Sequence, residues 1–551
     1  MIFFIFLLIC VGRLFFIQFF RSSYLTSIAK KQHNQLVELE PRRGAIYDCN
    51  LKTQAFNMSM DSLYAVPNTI KNKEYVINQL LPILGVERSY LTDRLNRKKS
   101  FIWLARKLTP DKSDKIKQLN LKGPGFMKET KRIYPNSYLA SHIIGFSGMD
   151  NVGLEGTERS FDKYLKGTPG WAIFLRDARL KKLDIWEKMV LPVDGLDLVL
   201  TIDEVIQYIA ERELDKAFKK FNAKGASIVV LDPHTGRILA MANRPTYDLN
   251  NHSGVSKDAM RNRSICDLFE PGSVFKIVTA SAALEEKKVT EEDVFFCENG
   301  AYRVGGRILH DHASHGNLTF RQVIEESSNI GTVKVAQLLG PATLYQYIKA
   351  FGFGSKLGVD LSGEISGMIS APRFWSKTSI TSIPIGQEVG VTALQLASAI
   401  SVIANGGQLM KPYIIDSVRD NQGRTFKQNK PVLIRKVISV DTAMRIKKIL
   451  TGVIEEGTGR LGKVEGFTAA GKTGTAQKLE PNGSYSHNKF VASFIGFAPA
   501  EDPLITIVVT VDEPHPSYFG GVVAAPVFQK VAGDVIRYLK GNQIPMEVSQ
   551  R

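Results

Sequence analysis

The sequence predicts an α+β fold in which segments from the two ends of one large domain share an antiparallel sheet, with helices on both sides of it. Two observations predict the sheet. Residues 226–231 and 237–242 are apolar runs flanking Asp232-Pro233-His234-Thr235-Gly236, a hairpin signal, and residues 489–498 and 504–511 are strand-like runs joined by a Pro/Asp turn. A third observation predicts the helical layers. Two long helical stretches, one holding Ser273 and the other Ser327, lie between those strands, and residues 522–539 close the chain as a helix.

The elements before that domain follow in order. Residues 1–20 are apolar apart from Arg13 and Gln18, about the ~20 residues needed to cross a bilayer. No basic segment precedes the run, and the small-x-small candidate Ser27-Ile28-Ala29 lies well past its end. A retained anchor is therefore expected over a cleaved signal peptide. Arg13 fits an interfacial, snorkelling position, with the start of the span cut off. The flanking Arg21, Lys30 and Lys31 argue by charge for a cytoplasmic C-terminal side, a conflict that basic residues further upstream would remove. Residues 36–200 mix short strand-like runs with polar helices such as 71–98, broken at Gly123-Pro124-Gly125. Residues 198–203 read as a strand leading to a helix cap, and the helix 204–221 follows with an acidic start and a basic end. The expected division is an anchor over 1–20, a pedestal over 21–220 and the large domain over 221–545.

Composition narrows the function classes. The 551 residues carry 71 Lys plus Arg against 54 Asp plus Glu, a formal charge of +17. Basic runs such as Arg97-Lys98-Lys99 are scattered and lack interleaved aromatics, so a nucleic-acid partner is not expected, while attraction to an anionic membrane surface is compatible. The cysteines, Cys10, Cys49, Cys266 and Cys297, form no C-x-x-C pair and no disulfide framework; a Cys266–Cys297 bridge stays open. His310-Asp311-His312-Ala313-Ser314-His315 concentrates three of the nine histidines, but H-x-H in a Gly-flanked loop without a cysteine is a weak zinc pattern. A polar loop near Ser327 is expected there, with no metal and no cofactor.

Three strings carry the chemistry: Ser273-Val274-Phe275-Lys276, Ser327-Ser328-Asn329 and Lys472-Thr473-Gly474-Thr475. A serine hydroxyl is a poor nucleophile near neutral pH and needs a base. Three residues apart on a helix, Ser273 and Lys276 share a face, and Pro271-Gly272 would start that helix at the serine. Its N-terminal partial charge would sit beside a developing oxyanion. Lys276 serves as a base only if burial or a second cation lowers its pKa, and Lys472 is a candidate for that cation. Each string alone is weak: S-x-x-K recurs at Ser27–Lys30 and S-x-N at Ser486-His487-Asn488. A rival pattern overlaps the third string, because Gly466 to Thr473 fits the phosphate loop G-x-x-x-x-G-K-[ST]. That loop needs a strand before it and a helix after it. Residues 456–463 do not read as a strand, and the turn Pro481-Asn482-Gly483 follows, so the nucleotide reading is disfavoured.

Taken together, these motifs resemble those of the class B penicillin-binding proteins, the membrane-anchored D,D-transpeptidases that cross-link peptidoglycan. Glu270-Pro271-Gly272 leading into Ser273 resembles that family, as do Arg42-Arg43-Gly44-Ala45-Ile46-Tyr47-Asp48, Arg132-Ile133-Tyr134-Pro135, Gly153-Leu154-Glu155-Gly156, Ile385-Gly386-Gln387 and Ala404-Asn405-Gly406-Gly407. Cys49-Asn50 departs from its usual continuation, and the cytoplasmic tail is missing. The resemblance implies a serine penicillin-recognising transpeptidase domain on an elongated mixed α/β pedestal. Ser273 would be the acylated nucleophile, Lys276 its base, Ser327 the proton relay and Asn329 the residue that orients Lys276. Lys472, Thr473 and Thr475 would bind the substrate carboxylate, Gly474 would leave room for the ligand, and the backbone N–H groups of Ser273 and Thr475 would form the oxyanion hole. It further implies stem peptides and lipid-linked nascent glycan as substrates, β-lactams as inhibitors, and an inner-membrane, single-pass placement with an outward catalytic domain. A SEDS-family glycosyltransferase and divisome proteins would be its partners. Glu270, the compact pedestal and the absence of a long C-terminal extension resemble the septal, division type more than the elongation type. The alternatives are a β-lactamase, a D,D-carboxypeptidase, or a non-catalytic activator of a partner glycosyltransferase.

Overall fold

The computed structural model describes residues 1–99, 101–176, 182–480 and 482–543. Pro481 of the expected turn and the end of the large domain, residues 544 and 545, lie outside the described residues. Residues Ile2–Phe20 form one helix, long and apolar enough to cross a membrane and packed against no other part of the protein.

The pedestal is built on the long strand Thr53–Ala65, which pairs antiparallel with both Pro124–Ile133 and Ile102–Leu108. Two helices, Lys73–Leu84 and Arg88–Asn96, pack on it, where one helix over 71–98 was expected. The break falls at Gly85, whose left-handed cap closes the first helix by donating to the Leu81 carbonyl. Val76, Ile77, Leu80, Leu91 and Leu95 from the two helices fill a small core with Leu63 and Leu104. A second organising element is ionic. Glu158 is buried and accepts from the Nε atoms of Arg43 at 2.7 Å and Arg132 at 2.6 Å, while Arg43 Nη1 reaches Asp162 at 2.6 Å.

The pedestal and the large domain are stitched by strand pairing. Asp197–Leu200 lies parallel to Ile46–Tyr47 and antiparallel to Ile415–Arg419, so a strand from far along the chain completes the pedestal's sheet. Helix α1 (Glu204–Lys220) was expected to close the pedestal, but its stripe Ile206, Ala210, Leu214 and Ala217 packs in the core on the outer face of the following sheet. Its start is fixed by Asp203, whose carboxylate accepts from the N–H groups of Val205 and Ile206.

That sheet has five antiparallel strands: β1 (Gly225–Leu231), β2 (Ile238–Arg244), β3 (Ala470–Leu479), β4 (Tyr485–Ala498) and β5 (Ile505–Asp512), in the order β2-β1-β5-β4-β3. Both ends of the domain therefore meet in one sheet, as the sequence predicts. All residues of β1 are buried, because helices cover both faces. Ile228 and Val230 face α1 and the C-terminal helix Ala525–Gln543. Val229 and Leu231 face the opposite core, which is shared with α2 (Lys276–Glu285), α3 (Asn329–Leu339) and α4 (Ala393–Ala404). A capping box, Thr392 with Gln395, starts α4, and every residue of that helix is buried. Strand β3 is the edge, so one of its sides has no strand partner among the described residues.

Candidate active site

The three strings meet beside strand β3. Pro271 leads into a tight 3₁₀ turn, Gly272–Phe275, which runs directly into α2. Ser273 thus lies in the turn ahead of the α-helix proper, half-buried, with Lys276 at the first α-helical position and buried. The turn is held from below: Gly272 N–H donates to the Gly386 carbonyl at 3.1 Å, and a side chain at Gly386 would collide with the Gly272 backbone at 2.2 Å. That contact is the physical role of the Ile385-Gly386-Gln387 string.

Ser327 is not helical, contrary to the sequence reading. It lies between the helix Phe320–Glu325 and α3, with φ at +61°. Ser328 is the N-cap of α3, its Oγ accepting from Gly331 N–H. From this bend the Ser327 carbonyl accepts from Lys276 Nζ at 2.6 Å, and Asn329 Oδ1 accepts from the same amine at 2.8 Å. Lys472 Nζ donates to Ser327 Oγ at 2.8 Å, and Lys276 Nζ lies 3.3 Å from that oxygen. Two buried lysines therefore converge on one hydroxyl.

The electrostatics follow from that burial. Desolvation, reinforced by the neighbouring Lys472 charge, holds the Lys276 pKa well below the ordinary lysine value, with Asp311 opposing. Desolvation alone lowers Lys472 to about 7. A neutral amine has two N–H groups and one lone pair. The Ser327 carbonyl can only accept. Asn329 is turned to accept because its Nδ2 donates to the His310 carbonyl at 2.9 Å. These two oxygens take both N–H groups of a neutral Lys276 and leave its lone pair for an incoming proton.

Lys472, Thr473, Gly474 and Thr475 lie in strand β3, paired with Ile495, Phe494, Ser493 and Ala492 of β4. The phosphate-loop reading has no support here, since the lysine sits inside a strand and no helix follows it. Thr473 Oγ1 lies 2.9 Å from Thr458 Oγ1, and Thr475 Oγ1 accepts from Gly520 N–H at 3.0 Å. Gly474 is closely packed. A Cβ there would meet Ser493 Oγ at 2.4 Å, the Pro271 carbonyl at 2.9 Å and Val274 Cγ1 at 2.9 Å. The glycine makes room for Ser493 and for the nucleophile's own turn.

The residues of all three strings gather here, with three neighbours to which the sequence reading gave no role in the site. Asp311 accepts from Ser328 Oγ at 2.6 Å and from the N–H groups of Asn329 and Ile330 at 2.5 and 3.0 Å. The His310–His315 loop is thus a polar loop against α3, and His312 packs on Phe519, with 5.2 Å between ring centroids. Glu270 Oε1 accepts from Glu388 N–H and from Tyr485 OH. Thr458, the third, had no motif to mark it. Cys266 and Cys297 are both free thiols, which closes the question of their pairing.

Comparison with known proteins agrees with this geometry. Residues 226–533 match the penicillin-binding protein transpeptidase domain and residues 38–200 the penicillin-binding protein dimerisation domain. The chain is 38% identical to Stage V sporulation protein D of Bacillus subtilis, over 98% of this chain and 85% of that protein. It is 32% identical to peptidoglycan D,D-transpeptidase FtsI of Escherichia coli, over 96% and 89%. Among solved structures, penicillin-binding protein 3 of Mycobacterium tuberculosis in complex with aztreonam superposes with a TM-score of 0.72 at 29% identity, covering 92% of this chain and 97% of that one. Penicillin-binding protein 2X of Streptococcus thermophilus gives 0.75 at 26% identity, covering 92% and 80%. With both domain models matched in order and the three motifs assembled around Ser327, the chain belongs to the class B penicillin-binding proteins, a serine transpeptidase domain carried on a dimerisation-domain pedestal.

Proposed function

We propose that this protein is a peptidoglycan D,D-transpeptidase that cross-links stem peptides through an acyl-enzyme on Ser273 during septal wall synthesis. One observation carries the chemistry: two buried lysines, both with depressed pKa values, converge on Ser327 Oγ beside the turn that presents Ser273. Ser273 Oγ attacks the penultimate D-Ala carbonyl while the neutral Lys276 amine takes its proton. Backbone N–H groups of Ser273 and Thr475 stabilise the oxyanion, a contribution of about 3–4 kcal/mol in such sites. As the C–N bond breaks, Ser327 passes a proton from Lys276 to the departing D-Ala amine. The amine of a neighbouring stem then attacks the Ser273 ester, forms the cross-link and returns the serine. Lys472, Thr473 and Thr475 hold the terminal carboxylate until it leaves. A β-lactam presents a similar carbonyl and carboxylate and acylates the same serine.

The relatives named D,D-transpeptidase support the reaction, and the mycobacterial aztreonam complex supports β-lactam binding. The helix Ile2–Phe20 supports a single-pass anchor, with the pedestal and the transpeptidase domain on the outer side of the cytoplasmic membrane. A SEDS-family glycosyltransferase and divisome proteins are its partners in this reading. FtsI supports the division role, while the 38% identity to Stage V sporulation protein D favours a second reading, wall synthesis in sporulation.

Intact-mass spectrometry after penicillin treatment tests the chemistry: one adduct is expected on the peptide holding Ser273, and an adduct that persists in Ser273→Ala overturns the assignment. Depletion in the native host tests the role. Filaments with unfinished septa support division, normal growth with failed spores supports the second reading, and rounded cells point to elongation. Protease added to spheroplasts should degrade the catalytic domain; full protection refutes the outward topology.

A further inference from the structure

We infer that Asp311 is a positioning residue of this active site, one that clamps the turn carrying Ser327 and Asn329 and sets its charge against the Lys276 amine. The inference rests on the reading of Lys276 as the base for Ser273. Asp311 precedes α3 by a long stretch of chain, yet its carboxylate caps the start of that helix. Oδ1 accepts from the Asn329 and Ile330 N–H groups and Oδ2 from Ser328 Oγ. An anion at this point also meets the partial positive charge of the helix N-terminus. The Ser328 hydroxyl is committed by the arrangement, donating to Asp311 while accepting from Gly331 N–H.

The consequence falls on the neighbours of Ser328. Asn329 is held at two points by one loop: its backbone N–H by Asp311 and its side-chain Nδ2 by the His310 carbonyl. That hold presents Oδ1 to Lys276. Ser327, with φ at +61°, is in a conformation that non-glycine residues seldom adopt without support, and it presents its carbonyl to the same amine. The loop therefore fixes both acceptors that point the Lys276 lone pair away from themselves. Without Asp311, the N–H groups of Asn329 and Ile330 would lose their partner and the bend at Ser327 would lose its anchor.

Charge gives the second handle. The groups facing Lys276 are Lys472 from β3, Asp311 from the loop and Cys297, whose thiol burial holds up and so keeps neutral. Lys472 depresses the Lys276 pKa and Asp311 raises it. Removing the Asp311 charge must then move the Lys276 titration to lower pH. Lys276 acts as base only when neutral, so the acid limb of the acylation profile moves the same way.

The experiment measures the second-order rate of labelling by a fluorescent penicillin, on the full-length protein in detergent, across pH. Asp311→Asn removes the charge and keeps an acceptor: the rate should fall at least about tenfold through misplacement of the turn, and the acid limb should shift to lower pH. Ser328→Ala breaks the same clamp and keeps the charge: the rate should fall with the acid limb unmoved. A wild-type rate and limb in Asp311→Asn overturns the inference. If that variant does not fold, a wild-type rate in Ser328→Ala overturns it. An equal limb shift in both variants also contradicts it, because a general loosening would move both. Ser273→Ala separates the two levels: labelling that persists there sinks the function itself, whereas loss of labelling with wild-type behaviour of Asp311→Asn sinks only the positioning role.

Discussion

Two of the buried charge clusters in this protein, one in the pedestal and one in the catalytic domain, behave oppositely. In the pedestal, Glu158 sits between Arg43 and Arg132, with Tyr134 OH donating to it as well. Burial alone would depress the Arg43 guanidinium, but Glu158 and Asp162 outweigh it, so its pKa is raised. In the catalytic domain Lys276 and Lys472 are equally buried; their hydrogen-bond partners are hydroxyl, amide and carbonyl oxygens, and the carboxylate that bears on Lys276, Asp311, makes no ion pair with it. Burial there outweighs the opposing Asp311 charge, and both pKa values fall. Burial does not decide whether a charge is structural or reactive. The counter-charge does. An ion with matched partners locks a pedestal, whereas an ion denied them becomes a base.

The largest expected break in this comparison comes from Lys276→Met, an unbranched side chain of similar length. Acylation by penicillin should fall by about 10²–10⁴-fold, the usual contribution of a general base. The melting temperature should stay at or above wild type, because a poorly compensated buried amine has been removed. A variant that loses activity and melts well below wild type would mean that Lys276 is a structural ion after all. The converse experiment is Glu158→Gln, which leaves two buried guanidinium groups facing a neutral amide. It should cost about 3–5 kcal/mol in denaturant unfolding, with the acylation rate of the folded fraction unchanged. Next in size is Gly474→Ala, read by the same labelling assay. Its Cβ would push β3 away from the nucleophile's turn, and a displacement near 1 Å should lower the rate by about 10²-fold with penicillin still recognised. Smallest is Asp111→Asn, which breaks the exposed Lys115–Asp111 pair of the pedestal; thermal unfolding should register no more than about 0.5 kcal/mol.

The pH dependence of stability sharpens the same contrast. Lys472 is lowered to about 7, so between that value and the ~10.4 of an unfolded lysine the unfolded chain binds the extra proton. Stability from this group therefore rises with pH through that window and is least below pH 7. Lys472→Met should flatten this part of the profile.

How much of this was legible in the sequence depends on the range of the interaction. The motif residues announced themselves because the chemistry needs those residue types at short spacing: Ser273 with Lys276, Ser327 with Asn329. The hairpin before the nucleophile and the paired strands near the end were legible because alternation and turn residues are local signals. Three things were not. The φ of +61° at Ser327 depends on what the bend packs against, so a helix was expected there. Asp311 was hidden inside a histidine-rich string, since its partners are fixed by tertiary contact and not by spacing. The packing at Gly474 is the third: sequence shows that a side chain is missing, and only the structure shows that Pro271, Val274 and Ser493 occupy its place. The pedestal's end was misplaced for a similar cause, because the apolar stripe of α1 does not say which sheet it will cover.

The central claim is that burial beside Lys472 weakens the hold of Lys276 on its proton inside the folded site. Its most direct test is ¹⁵N spectroscopy of lysine side chains labelled at Nζ, with the Lys276 signal assigned by its loss in Lys276→Met. The account predicts that the Lys276 signal changes from ammonium to neutral amine at a pH well below that at which the exposed lysines do. A Lys276 signal that stays in the ammonium range until pH approaches ~10.4 would contradict it.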